Sequence, residues 1–134
     1  MTVHLDTNLL IALGDTESNF SDSLERWIIE GNHVATSSIA WSEFCNGPIT
    51  REHKDAVAAV LRDEILDFSR AMAERTAILF NTTGRRRGSH SDCMIAACAM
   101  VSNSPLATLN SQDFERFIPM GLLLHDIGKK GTAI

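Results

Sequence analysis

The stretch Val3-His4-Leu5-Asp6-Thr7-Asn8-Leu9-Leu10-Ile11 constrains the fold more than any other part of the chain. An apolar segment with β-branched Val3 reads as a buried strand that ends at Asp6. Short turn-forming side chains follow Leu5, and Leu9, Leu10 and Leu13 then recur at helical spacing, with Thr7 or Asn8 available as caps. A strand that turns directly into a helix belongs to an α/β fold. It leaves the Asp6 carboxylate at the carboxyl end of a strand, where open α/β sheets bind ligands. A helix-capping role explains Asp6 equally well from this segment alone.

The same alternation continues. A turn is expected over residues 15–19 and a helix capped by Ser21, with Leu24, Trp27 and Ile28 on one face and Gly31 at its end. Residues 33–36 form a short strand. Ser37 or Ser38 caps the next helix, in which Ile39, Trp41, Phe44 and Cys45 surround Glu43. An amphipathic helix over 50–62 buries Ala56, Val57, Val60 and Leu61, and a strand follows near 64–68. From Ser69 a helix buries Met72, Thr76, Leu79 and Phe80 until Gly84 closes it. The most apolar helix opens at Ser89-His90-Ser91-Asp92, with Ser91 able to cap it and Asp92 in its first turn, where a carboxylate also suits the helix dipole. Strands at 106–108 and 122–125 complete the series, and 110–113 begins a turn or helix. Strands alternating with helices imply a three-layer α/β/α sandwich around a central, mainly parallel sheet. Its switch point beside the first strand brings together the loops after the first strand and the strand at 106–108.

At 134 residues, residues 1–134 are expected to form a single domain. With 44% hydrophobic and 22% charged residues the composition is globular. No apolar run reaches membrane-spanning length and no basic leader precedes one, so a cytoplasmic protein without membrane contact is expected. Cys45, Cys93 and Cys98 show neither C-x-x-C nor zinc-finger spacing and read as reduced packing residues. A net charge of -5 disfavours binding through a broad basic surface. A small basic cluster can still hold phosphates. Arg85-Arg86-Arg87 is the one dense basic run; such runs are usually solvated loops, but its place directly before Asp92 makes a phosphate-holding role an equal reading.

Asp6, Glu43, Asp92 and Asp113 are scattered along the chain, yet a parallel sheet can gather them. A cluster of carboxylates persists ionised only beside a cation, and oxygen donors favour Mg2+ or Mn2+ over zinc. Such an ion can activate water against a phosphodiester. Individually, Glu43 also reads as an ordinary exposed helix residue and Asp92 as a dipole partner.

In these residues the chain resembles the PIN-domain ribonucleases, and within them the VapC-type toxins of bacterial toxin-antitoxin pairs. Leu5-Asp6-Thr7-Asn8 looks like the first family motif, and Ser38-Ile39-Ala40-Trp41-Ser42-Glu43-Phe44 like the second. Ser91-Asp92-Cys93-Met94-Ile95-Ala96-Ala97 looks like the third, and Thr108-Leu109-Asn110-Ser111-Gln112-Asp113-Phe114 like the fourth. The resemblance implies that Asp6, Glu43, Asp92 and Asp113 form a catalytic, Mg2+- or Mn2+-binding site supported by Asn8, Thr108 and Asn110. Arg85, Arg86 and Arg87 would then hold the RNA substrate. It also implies a homodimer and a cognate antitoxin. Cys93 departs from the small alanine-like residue usual there, a mild change because a free Cys packs like a small apolar residue.

Three rivals remain. Leu123-Leu124-His125-Asp126-Ile127-Gly128-Lys129 imitates the His-Asp pair of HD-type phosphohydrolases, but only eight residues follow Asp126 and none is acidic. An aspartyl-phosphate enzyme also places its nucleophile after the first strand, although the second Asp expected two residues later is here Asn8. A catalytically inactive PIN-like module that only binds RNA or a partner is the non-enzymatic alternative.

Overall fold

The computed structural model describes residues 1–14 and 19–126, with the side chains of Asn19 and Ser21 left aside. Four strands, β1 (Thr2–Leu5), β2 (His33–Ser37), β3 (Ile65–Leu66) and β4 (Leu106–Ala107), form one sheet in the order β3-β2-β1-β4. Every pairing is parallel, with His4 opposite Ala35 on one side and Leu106 on the other. Val3, His4 and Leu5 are all buried, as are Val34, Ala35, Thr36 and Ser37, so the central strands are covered on both faces. His4 carries that burial as a neutral imidazole. Desolvation lowers its pKa to about 4.

Helices supply the covering layers: α1 (Thr7–Gly14), α2 (Asn19–Ile29), α3 (Ser38–Asn46), α4 (Arg51–Val60), α5 (Arg70–Thr82) and α6 (His90–Val101). The α1 helix packs on α2, α3 and α4, while α5 and α6 pack on each other. The chain steps from β1 through β2 to β3, then α5 and α6 carry it back past β1 to β4. The reversal therefore lies between β1 and β4, the adjacent pair at which a doubly wound sheet opens a crevice. This is the α/β/α architecture expected from the sequence.

Side-chain caps explain the starts of α3, α4 and α5. Ser37 accepts from the Ala40 amide at 3.0 Å, Thr50 from His53 at 3.0 Å and Ser69 from Met72 at 3.2 Å. Several boundaries differ from the sequence reading. The α2 helix begins at Asn19, so Ser21 lies inside it; of the expected turn at 15–19, Asn19 is helical and residues 15–18 lie outside the described residues. Ala56 is exposed, and the buried side of α4 is carried by Val57. That helix ends at Val60 because Arg62 and Asp63 turn into the left-handed region at φ 53° and 57°. At α6 the N-cap position belongs to Ser89 instead of Ser91, and the Ser89 hydroxyl donates backward to the Arg86 carbonyl at 2.8 Å. The expected strand at 122–125 shrinks to a single parallel bridge between Leu106 and Leu124. Gly121, at φ 112°, turns the chain just before it. Among the described residues no helix is long and apolar enough to cross a membrane.

Candidate metal and nuclease site

Asp6 follows β1 immediately. Its amide still pairs with the Ala107 carbonyl at 3.0 Å, and its own carbonyl accepts from Leu9 and Leu10, opening α1. Strand end and helix start thus fix its backbone from both sides. Oδ1 accepts from the Thr7 amide at 2.8 Å and Oδ2 from the Thr108 hydroxyl at 2.7 Å. The capping and site readings of Asp6 are therefore compatible, since one carboxylate meets the helix start and the neighbouring strand end.

Asn8 and Thr108 tie these two strand ends together. The Asn8 side-chain carbonyl accepts from the Leu109 amide at 3.2 Å, and its amide donates to Thr108 Oγ1 at 3.5 Å. Thr108 Oγ1 also accepts from the Asn110 amide at 3.0 Å. Asn110 thus takes part through its backbone. Thr7, considered from the sequence only as a cap, donates its hydroxyl to Glu43 Oε1 at 2.6 Å and links α1 to the exposed acid of α3.

Asp92 stands in the first turn of α6, and Asp113 ends the 3-10 turn Ser111–Asp113 beyond β4. Burial raises the Asp92 pKa to about 6, helped by the charges of Asp6, Asp113 and Glu43 and opposed by Arg116. Asp6 is also raised, first by burial and then by Glu43 and Asp113, with the Thr108 and Thr7 hydrogen bonds pulling it back. Four acids from four chain segments therefore share one electrostatic neighbourhood. They do not form a closed cage: among the described residues no three Asp, Glu, His or Cys side chains gather tightly enough to make a metal shell.

The arginine run makes no ion pair with these acids or any other among the described residues. Arg85, Arg86 and Arg87 are exposed in the loop between α5 and α6. Arg85 donates to Asn81 and lies 5.3 Å from the Phe80 ring centroid. The His125 ring lies tilted against Trp27 with centroids 5.2 Å apart, and its amide donates to the Leu106 carbonyl, a sheet-edge role. Cys93 and Cys98 are buried free thiols.

Arg116 escaped the sequence reading. It bonds the Asp113 carbonyl at 2.6 Å and approaches Asp92 Oδ2 to 3.8 Å. Its only sequence signal is a cation inside the apolar run Phe114-Glu115-Arg116-Phe117-Ile118 directly after an acidic motif.

Comparison with solved structures returns the same architecture. A DNA-bound VapBC from Salmonella typhimurium matches with a TM-score of 0.68 and 26% identity over 94% of this chain and 98% of that one. A toxin-antitoxin complex from Klebsiella pneumoniae matches with a TM-score of 0.67 and 27% identity over 84% and 90%. VapBC2 from Rickettsia felis, bound to a promoter DNA fragment, shares the fold at 21% identity and a TM-score of 0.69 over 95% and 99%. No curated protein matches the sequence. Residues 3–117 match the PIN domain, a span that runs from β1 through all four acids to Phe117, and on that match the chain belongs to the PIN-domain family.

Proposed function

We propose that the chain is a divalent-metal-dependent endoribonuclease and the toxin of a toxin-antitoxin pair, with Asp6, Glu43, Asp92 and Asp113 as its metal-binding and catalytic acids. The observation that carries this reading is the convergence at the β1 and β4 ends, where Thr7 and Thr108 orient the Asp6 carboxylate and the Thr7 hydroxyl also holds Glu43; beside them burial, and then the charges of Asp6, Asp113 and Glu43, raise the Asp92 pKa. Repelling carboxylates gathered at a switch point are costly unless a cation relieves them. The donors are all oxygen, which suits a hard ion. Their open spacing fits Mg2+ or Mn2+ of the kind that keeps several waters and is completed by substrate phosphate. When bound, such an ion supplies the charge that acidifies water and stabilises a phosphodiester under attack.

The chain's own residues have separable roles in this scheme. Asp6 is the fixed ligand, oriented by Thr7 and Thr108. Glu43 is steered toward it by the Thr7 hydroxyl. Asn8, Thr108 and the Asn110 backbone keep the two strand ends at one separation. Asp92 and Asp113 face this fixed half from α6 and the 3-10 turn. Arg85, Arg86 and Arg87, exposed before α6, hold the RNA backbone by charge.

The antitoxin partner is supported by the Klebsiella pneumoniae match, itself a toxin-antitoxin complex. Homodimerisation and a cytoplasmic location complete the proposal by family resemblance. The test is incubation of the purified chain with single-stranded RNA in Mn2+, Mg2+ or chelator. Cleavage with metal, none in chelator and none from Asp6→Asn is expected. RNA that is bound but never cut would instead identify the inactive binding module, and hydrolysis of phosphomonoesters without RNA cleavage would favour a phosphohydrolase.

A further inference from the structure

Among the described residues the acidic pole holds one cation. Arg116 lies in the 3-10 segment Glu115–Met120, its side chain only 16% exposed and its Nε buried without a hydrogen-bond partner. A guanidinium is expensive to desolvate, so its surroundings must offset that cost. The Cys93 thiol lies beside the guanidinium, and three further contacts hold it. Its Cζ sits 4.5 Å from the Phe117 ring centroid, Nη1 donates to the Asp113 carbonyl at 2.6 Å, and Nη2 lies 3.8 Å from Asp92 Oδ2. The carbonyl belongs to the turn after β4, whereas Asp92 belongs to the first turn of α6, so one side chain spans the two contributors that lie outside the β1 end and α3.

These interactions differ in kind. The ring and the carbonyl are short-range anchors that do not involve Asp92. The approach to Asp92 is longer than a hydrogen bond, an electrostatic hold that can be released without moving the guanidinium.

Resting on the metal reading above, we propose that Arg116 is the internal counter-cation of the site, a positioning residue with which an incoming divalent ion competes for Asp92. Without metal it holds Asp92 and the Asp113 turn in place. With metal its positive charge opposes the ion, so that affinity is set below what four carboxylates alone would give. The charge and the anchoring fork make separate contributions: lysine retains the first and lacks the second, whereas methionine retains the apolar length and lacks both.

The experiment measures Mn2+ binding to the RNA-free chain by calorimetry, with melting curves in chelator and in saturating Mn2+. Arg116→Met is expected to bind Mn2+ about fivefold or more tightly, because one positive charge near a divalent ion has been removed, while Arg116→Lys stays within about twofold of the unaltered chain. In chelator Arg116→Met melts lower, and Mn2+ stabilises it by more than it stabilises the unaltered chain. A purely packing role for Arg116 predicts equal destabilisation with and without metal and an affinity that is unchanged or weaker. That result overturns the proposal. If Arg116→Met does not fold, Arg116→Gln, which keeps a donor for the Asp113 carbonyl, is read by the same affinity criterion. An unaltered chain that binds no Mn2+ would overturn the metal reading and the Arg116 role with it, whereas binding that Arg116→Met fails to tighten overturns the Arg116 role alone.

Discussion

The two halves of the acidic pole are built differently. On the β1 side Asp6 is 6% exposed and both carboxylate oxygens accept hydrogen bonds from neutral donors. On the α6 side the Asp92 side chain is 31% exposed, and its hold is the 3.8 Å approach of Arg116. Neutral donors fix a direction as well as a distance, whereas a separated ion pair fixes little more than proximity. One half is preorganised and the other can adapt. Under the proposed metal reading, a site assembled this way takes up an ion against Asp6 and adjusts Asp92 to it, which a rigid cage with every ligand in place does not require.

The largest expected effect treats the halves alike. Asp6→Asn, Asp92→Asn and Glu43→Gln should each leave less than about one hundredth of the metal-dependent RNA cleavage, beyond the ~10- to 100-fold that a supporting group costs. Near-normal cleavage by purified Asp6→Asn would sink the proposed mechanism. Thr108→Val separates the halves. It removes the donor to Asp6 Oδ2 and should cut cleavage about tenfold or more, the worth of a hydrogen bond to a charged group. An unchanged rate would show that Asp6 needs no such orientation.

Stability without metal sharpens the contrast. Asp92→Asn relieves burial of a charge and a repulsion that together outweigh the Arg116 attraction it also gives up, and should raise the chelated melting temperature by about 4 °C, on the order of 1 kcal/mol. Asp6→Asn should gain less, because it replaces one of the two acceptor oxygens by an NH2 group that only donates, so that either the Thr7 or the Thr108 hydrogen bond is lost. Equal gains would erase the distinction. The pH dependence has a definite sign. Asp92 titrates at about 6 in the fold against 3.8 in the unfolded chain, so the folded state holds the extra proton between those values and this group's contribution falls as pH rises through them. Buried His4 acts in the opposite sense, since its folded pKa of about 4 makes stability rise with pH across nearly the same window. The quantity to measure is therefore the difference between the stability curves of the unaltered chain and Asp92→Asn, which should change by roughly 1 kcal/mol from pH 4 to 6 after allowance for solvent. A constant difference would mean that the Asp92 carboxyl titrates normally.

The smallest effect lies outside the pole. Replacing Arg85, Arg86 and Arg87 by Ala should flatten the dependence of log RNA affinity on log salt by about 0.7 for each phosphate that is no longer neutralised, while metal affinity stays the same. An unchanged slope would identify these arginines as a solvated loop.

Much of this was visible in the sequence because the signals are short-range. Ser37, Thr50 and Ser69 each cap within three residues, and alternating apolar periods place the helices between parallel strands. Where the sequence reading slipped, tertiary context outweighed the local preference. Ser91 has the right chemistry for a cap, but the N-cap position falls two residues earlier, at Ser89. Leu122 and Leu124 have the pattern of a strand, yet Leu124 makes only a bridge to Leu106.

The chain by itself determined that a strand ends at Asp6 where a helix begins, and that three further acids follow in family-like motifs. It could not determine that Asp6 receives its hydrogen bond from Thr108, 102 positions away, that Thr7 bridges to Glu43, or that Arg116 faces Asp92. Caps and periodicity act within a turn or two of backbone, so they are written locally. Interactions across the pole depend on the register of β1 against β4 and on where α6 starts, and those are fixed only when the sheet and its covering helices pack together.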